Sequence, residues 1–321
     1  MHHFVTGAAG FIGSQLVDSL LVDGCRVSGV DDYSLGSPAH LESALRNPAF
    51  RFSECDISRP EHAAKALRDA CDWDGLPDII WHFAANSDIA AGVADASVDF
   101  RRTLRTTFSL LEAARICGAG KVAFASSSAV YGERRDLLTE DSGPLLPISS
   151  YGANKLASEA LLSAAAETFL QQVWIFRFPN VVGPRATHGA LFDFIGRLAS
   201  RPPSLRVLGD GMQTKPYLHV SELIAAMKYI VSRANERRSV FNIGPAGSGT
   251  SVAFIAEKVI ARLAPATPIA YSGGDRGWVG DVPRFRYSIE KLARLGWRPR
   301  LGSDEAVLRA IDELVPASLP Q

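Results

Sequence analysis

The segment "VTGAAGFIGSQL", residues 5–16, places Gly7, Gly10 and Gly13 in a G-x-x-G-x-x-G spacing. It follows a short apolar run typical of a strand and leads into a helical pattern at 12–23. Glycine permits a tight turn and lets backbone N–H groups approach a pyrophosphate, and the helix N-terminus adds partial positive charge. At a strand-to-helix junction, this spacing predicts a dinucleotide-binding loop.

Two acidic residues farther along the chain support that prediction. Asp31 ends the second predicted strand, where a carboxylate can accept hydrogen bonds from the adenosine ribose. The residues Asp31, Asp32 and Tyr33 offer no arginine to neutralise a 2′-phosphate, so NAD is favoured over NADP. Asp56 ends the third predicted strand within reach of the adenine, although a turn-forming aspartate explains it nearly as well.

Short apolar runs alternate with longer helical patterns through the first half of the chain. This alternation predicts βαβ units and a parallel sheet covered by helices on both faces. The predicted strands are 4–6, 26–30, 50–54, 79–83, 122–125 and 173–178, and the predicted helices are 12–23, 61–71, 98–116 and 151–169.

Loops rich in Pro and Gly separate the elements after residue 179. Helices are predicted at 191–199, in "VSELIAAMKYIV", and at 252–263, 289–295 and 303–314, with a strand at 239–243. We therefore predict an α/β fold: a Rossmann-type doubly wound parallel sheet with a smaller, mostly helical C-terminal substrate lobe. The NAD-binding Rossmann domain takes 1–179 plus 217–243, and the substrate-binding lobe takes 180–216 plus 244–321.

Composition excludes several classes of protein. Of the 321 residues, 47% are hydrophobic and 21% charged, and 34 basic side chains balance 34 acidic ones. Nucleic-acid and membrane-surface binding both need a basic field, so we expect neither partner. The four cysteines are widely spaced, which indicates neither a metal site nor a disulfide framework and suits a reducing compartment. With no leader pattern and no apolar run of about 18 residues, a cytoplasmic location is expected.

A second motif, "SSYGANKLASE", carries Tyr151 and Lys155 four residues apart, on one face of a predicted helix. A free phenol has a pKa of about 10, so its use as a base at neutral pH requires about 4 kcal/mol of phenolate stabilisation. A lysine ammonium and an oxidised nicotinamide can supply that field in a partly dry site. Combined with the glycine loop, the motif predicts Tyr151 as a general base.

Further motifs follow in one order along nearly the whole chain: "TGAAGFIGS", "CDI", "HFAA", "SSSAVYG", "YGANK", "RFPNVVGPR", "GDGMQ", "YLHVSE" and "FNIG". In these motifs the sequence resembles the extended short-chain dehydrogenase/reductase family, in its nucleotide-sugar epimerase and dehydratase branch. The resemblance implies a tightly held, recycled NAD and a nucleoside-diphosphate sugar as substrate. It also implies a homodimer formed through helices 98–116 and 151–169, although packing on the sheet explains most of their apolar residues.

The resemblance assigns roles by motif position. Tyr151 would be the base, Lys155 would orient it and bind the nicotinamide ribose, and Ser127 would hydrogen-bond the reacting sugar oxygen. The implied cofactor contacts are Gly7, Gly10, Phe11, Ile12, Gly13, Asp31, Ser34, Asp56, Ile57, Phe83, Ala84, Ala85, Ser126, Tyr151 and Lys155. The implied substrate contacts are Ser87, Ser128, Asn180, Arg185, His188, Lys215 and Arg276, with the arginines suited to a diphosphate or a carboxylate.

The sequence departs from the family pattern in three places. Thr103 stands where the family generally has a cofactor-contacting Asn, and Lys215-Pro216 stands where Arg-Asp is usual. The segment "RGWVGD", which begins at Arg276, is longer than the common R-x-G-D form.

The stretch "SSSAVYG" bears on the type of reaction. Ser126 and Ser127 point to opposite sides of a strand, so they cannot both face the sugar equally. Ser126 and Ser128 are expected to satisfy backbone groups where the strand ends. The dehydratases of the family carry Asp-Glu at the two positions after Ser127, because eliminating water needs an acid and a base. Here Ser128 and Ala129 occupy them, and alanine cannot exchange a proton.

The favoured function is therefore C4 epimerisation of a UDP-sugar of the UDP-glucose/UDP-galactose type, through a transient 4-keto intermediate. The main alternative is a UDP-glucuronate 4-epimerase in which Arg185 or His188 holds the carboxylate. A dehydratase or decarboxylase with displaced acids, or a non-catalytic NAD-binding sensor, is less favoured.

Overall fold

The computed structural model describes residues 1–277 and 282–315. The helices are α1 (Phe11–Val22), α2 (Pro60–Asp74), α3 (Ile89–Ala94), α4 (Ala96–Asp99), α5 (Thr106–Cys117), α6 (Ser150–Thr168), α7 (Ala190–Ala199), α8 (Val220–Arg233), α9 (Val252–Leu263), α10 (Glu290–Leu295) and α11 (Ser303–Leu314). The strands are β1 (His2–Thr6), β2 (Arg26–Asp31), β3 (Phe50–Glu54), β4 (Ile79–His82), β5 (Lys121–Ala125), β6 (Leu137–Leu138), β7 (Gln172–Arg177), β8 (Asn180–Val182), β9 (Leu205–Val207), β10 (Thr214–Lys215), β11 (Tyr217–His219), β12 (Arg238–Asn242), β13 (Thr250–Ser251), β14 (Ile269–Tyr271) and β15 (Arg286–Tyr287).

A seven-stranded parallel sheet in the order β12-β7-β5-β4-β1-β2-β3 forms the centre of the fold. The strand order reverses at β1, whose Thr6 lies beside Val30 of β2 on one side and His82 of β4 on the other. In doubly wound sheets, ligands bind at the carboxyl ends of the strands beside such a reversal. The predicted fold class is confirmed.

Small side chains let the flanking helices pack closely on this sheet. Helix α2 buries Ala63, Leu67 and Ala70, which recur at helical spacing, and α5 buries Leu110 and Ala114 in the same core cluster. Alanine on facing helices allows their axes to approach, because little side-chain volume separates them.

The chain divides into two compact units. The first comprises 1–132, 143–177 and 227–241, and the second comprises 133–142, 178–226 and 242–321, described as far as 277 and from 282 to 315. In the second unit, α7, α9 and α11 enclose a core of their own. This unit also contains short paired strands that the sequence did not predict, β8 with β11, β9 with β14, β10 with β13 and β6 with β15. The division of the chain by binding role remains a prediction.

No helix in the described part of the chain is long and apolar enough to cross a membrane. No group of His, Cys, Asp and Glu side chains within 1–277 and 282–315 has an arrangement that could hold a metal ion. The four cysteines are free thiols.

A buried hydrogen-bond chain centred on His82 joins the sheet to two helices. Its Nδ1 lies 2.8 Å from Thr6 Oγ1 in β1, and its Nε2 lies 3.0 Å from Thr107 Oγ1 in α5. Thr107 Oγ1 lies 3.0 Å from Ser158 Oγ in α6. Burial, with the nearby charge of Lys155 as a smaller cause, lowers the pKa of His82 to about 3, so the folded protein holds a neutral imidazole.

This neutral histidine predicts acid-sensitive stability. Between about pH 6.5 and 3 the imidazole of His82 is protonated in the unfolded chain and neutral in the folded one. The free energy of unfolding therefore falls as the pH drops through this window, on the order of 1 kcal/mol for each pH unit. Urea unfolding at several pH values measures this slope.

The variant His82→Gln removes the titrating ring and is expected to flatten the slope, although it lowers stability at every pH. The control is Leu67→Ala, which lowers stability by removing a fully buried side chain without removing a titratable group, and is expected to keep the slope. An unchanged slope in His82→Gln contradicts the assignment.

Candidate active site

The glycine loop connects β1 to α1 through a backbone conformation that requires glycine. Gly7 has φ +68°, and a Cβ placed on Gly13 would lie 2.0 Å from the carbonyl oxygen of Gly7. Gly10 is the N-cap of α1 and brings no side-chain oxygen to the first N–H groups of the helix. The loop therefore presents an open helix N-terminus, which suits the pyrophosphate of a dinucleotide.

Asp31, at the end of β2, is held in a fixed orientation beside this loop. Its Oδ2 accepts a hydrogen bond from the Ala9 N–H at 2.9 Å, and its Oδ1 accepts one from the Tyr33 N–H at 2.8 Å. Burial raises the pKa of Asp31, and the two backbone hydrogen bonds oppose that shift. Each carboxylate oxygen keeps a further lone pair, so the group can still accept from ribose hydroxyls.

Neighbouring candidates for cofactor binding lie along the same end of the sheet. Asp56 forms a turn, because its Oδ1 accepts from the Ser58 N–H at 2.9 Å, and the exposed Ser34 donates its N–H to Asp32 Oδ1 at 2.9 Å. Ile57 is buried between Asp56 and Ser58. Phe11 and Ile12 begin α1, where their N–H groups lack side-chain caps.

The segment after β4 packs against the glycine loop. A Cβ on Gly7 would lie 2.8 Å from the Ala84 nitrogen, and the Ala84 N–H donates to Thr6 Oγ1 at 3.1 Å. Phe83, Ala84, Ala85 and Ser87 are half-buried along this segment. Thr103, the departure from the family Asn, is fully buried, and its Oγ1 accepts from the Asn86 N–H at 3.1 Å.

Lys155 lies on α6 with only 4% of its surface exposed. Its Nζ donates to the Ala125 carbonyl at 2.7 Å and lies 5.9 Å from the centre of the Tyr151 ring. Burial lowers the pKa of Lys155 to about 7, and the charges of Glu159 and Asp99 act in the opposite direction. The charged and neutral forms of Lys155 are therefore close in free energy at neutral pH, and the carboxylates of Glu159 and Asp99 favour the ammonium.

Tyr151 and Ser127 face each other across the ends of α6 and β5. The Ser127 hydroxyl lies close enough to the Tyr151 phenol to affect its pKa. Burial raises the pKa of Tyr151, the Ser127 hydroxyl lowers it, and the charge of Asp99 raises it. Ser127 begins the 3₁₀ turn Ser128–Tyr131, and its Oγ accepts from the Ala129 N–H at 3.1 Å. Because the oxygen acts as the acceptor in this bond, the hydroxyl proton remains free to be donated to another group.

The serines beside Ser127 have different surroundings. The hydroxyl of Ser126 donates to the buried carboxylate of Glu159 and not to a backbone group as the sequence interpretation supposed. Ser128 is half-buried at the first position of the 3₁₀ turn. The structure thus brings Ser127, Tyr151 and Lys155 together in the first unit, and their catalytic roles remain predictions.

The second unit carries the remaining substrate candidates. Asn180 is exposed at the start of β8, with its Nδ2 3.5 Å from the Pro216 carbonyl, and Lys215 is buried in β10. Arg185 is half-buried with φ +66°, and His188 is exposed.

Arg276 donates through Nη2 to both carboxylate oxygens of Glu133 at 2.9 Å, so its charge already has a partner. The last four residues of "RGWVGD", 278–281, lie outside the described residues.

Two functional-site neighbours, Glu159 and Arg177, were missed by the sequence interpretation. Arg177 ends β7, whose other residues from Val173 onward are apolar, and Glu159 follows Lys155 by one helical turn in an alanine-rich helix. A lone charge in an otherwise apolar run was the available signal, because such residues are rarely buried without a partner.

Comparisons with known proteins agree with this geometry. The model of the NAD dependent epimerase/dehydratase family matches residues 3–244. The chain is 32% identical over 326 residues to a UDP-glucose 4-epimerase of Mycolicibacterium smegmatis, with 97% of this chain and 98% of the relative covered. It is 29% identical over 302 residues to a dTDP-glucose 4,6-dehydratase of Streptomyces griseus, with 90% and 88% covered.

A crystal structure of a UDP-galactose 4-epimerase superposes with a TM-score of 0.85 at 33% identity, covering 99% of this chain and 100% of that one. The resemblance read from the motifs is confirmed. The prediction of NAD as cofactor is confirmed by the match to a family defined by its dependence on NAD.

The crowding at Gly13 predicts that Gly13→Ala weakens dinucleotide binding. The added methyl group would overlap the Gly7 carbonyl, so the loop must shift, and the affinity for NAD is expected to fall by about tenfold or more. Titration calorimetry with NAD on protein freed of bound nucleotide measures the change.

Gly196→Ala is the control, because this glycine lies in α7 with nothing within 4 Å of its added Cβ. It is expected to bind NAD as the unmodified protein does. If Gly13→Ala and Gly196→Ala bind NAD with equal affinity, the glycine loop is not part of the cofactor site.

Proposed function

The chain belongs to the NAD dependent epimerase/dehydratase family, and on that premise we propose that it epimerises a UDP-sugar of the UDP-glucose/UDP-galactose type at C4. The reaction passes through a transient 4-keto sugar and consumes no cofactor. NAD, when bound, supplies a hydride acceptor that returns the hydride to the sugar. The glycine loop and Asp31 would hold this cofactor, and Ser127, Tyr151 and Lys155 would handle the proton.

Proton transfer is the task of the three residues in the first unit. Tyr151 takes the proton from the C4 hydroxyl, which requires the phenolate form that burial disfavours. The Lys155 ammonium, 5.9 Å from the ring centre, lowers the cost of that form, and the neighbouring Ser127 hydroxyl also lowers the pKa of Tyr151. The proton returns from Tyr151 when the 4-keto sugar is reduced on its other face.

The observation that carries the choice of epimerisation is the environment of Ala129. Its N–H donates to Ser127 Oγ, so the residue lies directly beside the catalytic hydroxyl, yet its side chain is a methyl group. Removal of a sugar hydroxyl as water needs a proton donor at the leaving oxygen. An alanine at this point supports a reaction in which only C4 changes its oxidation state.

A dehydratase reaction would need acidic side chains from elsewhere in the chain, since Ser128 and Ala129 stand at the usual positions of the acids. The carboxylates that influence Lys155 are Asp99 and Glu159, which are 0% and 5% exposed. Glu159 is occupied by Arg177 and Ser126, and Asp99 Oδ1 accepts from Asn86 Nδ2 at 2.8 Å. Neither carboxylate is exposed to a bulky sugar, which supports epimerisation over dehydration.

We further propose that the protein is cytoplasmic. The free thiols suit a reducing cytoplasm. A homodimer through α5 and α6 is also proposed, and Phe108 and Ile116, which are 49% and 62% exposed on α5, would be covered by a partner.

A substrate panel tests the proposed reaction. The purified protein with NAD is incubated with UDP-glucose, UDP-galactose, UDP-glucuronate and the N-acetylhexosamine nucleotides, and the products are followed by NMR. Interconversion of UDP-glucose and UDP-galactose is the expected result, since the Ala129 environment offers no acid for elimination. A 4-keto-6-deoxy sugar or a pentose as the main product would contradict epimerisation, and turnover of UDP-glucuronate alone would establish the uronate alternative instead.

The Tyr151→Phe variant tests the base. Removal of the phenol oxygen is expected to lower kcat by about 100-fold or more while NAD and sugar-nucleotide binding persist, because only the proton transfer is lost. Steady-state kinetics with a binding titration separate the two effects. The control is Tyr229→Phe, which removes a phenol oxygen from α8 and is expected to retain kcat. Near-normal turnover by Tyr151→Phe would exclude Tyr151 as the base.

A further inference from the structure

The ion pair between Glu159 and Arg177 is buried within the first unit, next to the proposed catalytic residues. Each side chain is 6% exposed. Arg177 Nε donates to Glu159 Oε1 at 3.0 Å, and Nη2 donates to Oε2 at 2.6 Å, which is a bidentate fork. Burial lowers the pKa of Arg177, but the hydrogen bonds and charge of Glu159 outweigh it and raise that pKa overall.

The same ion pair contacts each segment of the chain that carries a proposed catalytic residue. Glu159 follows Lys155 by one turn on α6, and it accepts from the hydroxyl of Ser126, the residue before Ser127. Arg177 Nη1 donates to the Tyr131 hydroxyl at 3.1 Å, and its guanidinium carbon lies 4.9 Å from the Tyr131 ring centre. Tyr131 ends the 3₁₀ turn that Ser127 begins. One ion pair therefore connects α6 to both ends of the segment around Ser127.

Such a pair is costly to bury. Two desolvated charges seldom stabilise a fold more than apolar side chains of the same volume would, so simple stability gives a weak reason for its presence. The two parallel hydrogen bonds instead fix the relative orientation of the two side chains, because a planar guanidinium binds a carboxylate in one orientation. What the pair does supply is a defined position for α6 against the end of β5.

We infer that Glu159 and Arg177 are positioning residues, which hold Ser127 in register with Tyr151 and keep a carboxylate beside the Lys155 ammonium. The inference rests on the proposed function for its kinetic consequence. Glu159 and Arg177 do not touch the sugar in this role and act only through Ser127, Tyr151 and Lys155.

The charge of Glu159 has an effect on the protonation of Lys155 that a purely structural role would not have. The charged and titratable groups around Lys155 are Glu159 and Tyr151 on α6, Asp99 at the end of α4 and His82 in β4. Of these, the carboxylates of Glu159 and Asp99 favour the ammonium. Replacing Glu159 by Gln removes one of them, so Lys155 loses its proton more readily and gives less support to the phenolate of Tyr151.

The experiment compares the NAD-bound protein with its Glu159→Gln variant. The maximal kcat is expected to fall by about tenfold or more with KM changed far less, because the hydroxyl and the phenol are misaligned. The rising limb of the kcat–pH profile is expected to move to higher pH by about half a unit or more.

A second readout needs no turnover. Tyrosinate absorbance, taken as the difference between each protein and its Tyr151→Phe counterpart, reports the ionisation of Tyr151 directly. It is expected to move to higher pH in Glu159→Gln. If the unmodified protein turns over no sugar nucleotide, the proposed function fails, and this titration still decides whether Glu159 acts on Tyr151.

The control for a merely structural role is Leu67→Ala, which removes a fully buried side chain from α2 and destabilises the first unit. It is expected to keep both pH profiles. If Glu159→Gln does not fold, the double variant Glu159→Gln/Arg177→Met replaces it, since it leaves no unpaired buried charge. Unchanged kcat and tyrosinate profiles in the variant, or an equal shift in Leu67→Ala, would overturn the inference.

Discussion

Lys155 carries its amine in a place where burial opposes charge, and three neighbouring groups favour the charged form. A carbonyl at the end of β5 accepts a hydrogen bond from the amine, and the charges of carboxylates on α4 and α6 attract it. Each of these groups comes from a different element, so the ammonium is supported only when the sheet and both helices are in place. A surface lysine would need no such support and would give a phenol little help, because water screens its field.

Much of the first unit could be predicted from the sequence. Its strands are apolar runs of ordinary length between Gly-rich turns, and its helices show clear periodicity, as in α2. The start of β1 at His2 could be predicted less well, because His2 and His3 are polar residues. Both are buried, and His2 Nε2 meets Ser28 Oγ at 2.9 Å in the neighbouring strand, a partner that only the register of β1 and β2 identifies.

Other features could not be predicted from the sequence. Strands such as Thr214–Lys215 and Thr250–Ser251 are too short to show any periodicity, and their pairing depends on the chain around them. The Glu159–Arg177 pair joins an alanine-rich helix to an apolar strand, and its partners are set by how α6 lies on β7. The proposed catalytic residues could be predicted because they lie in short local motifs, whereas the groups that support them are scattered along the chain.

The hydrogen-bond chain centred on His82 affects the local unfolding of the protein. It ties β1, which leads into the glycine loop, to α6, which carries Tyr151 and Lys155, through side chains that are all buried. Separating either the strand or the helix from the sheet breaks a bond of this one chain, which couples the two elements in local unfolding. Ligand that binds the glycine loop must then slow amide exchange in α6 as well, by an amount set by its own affinity.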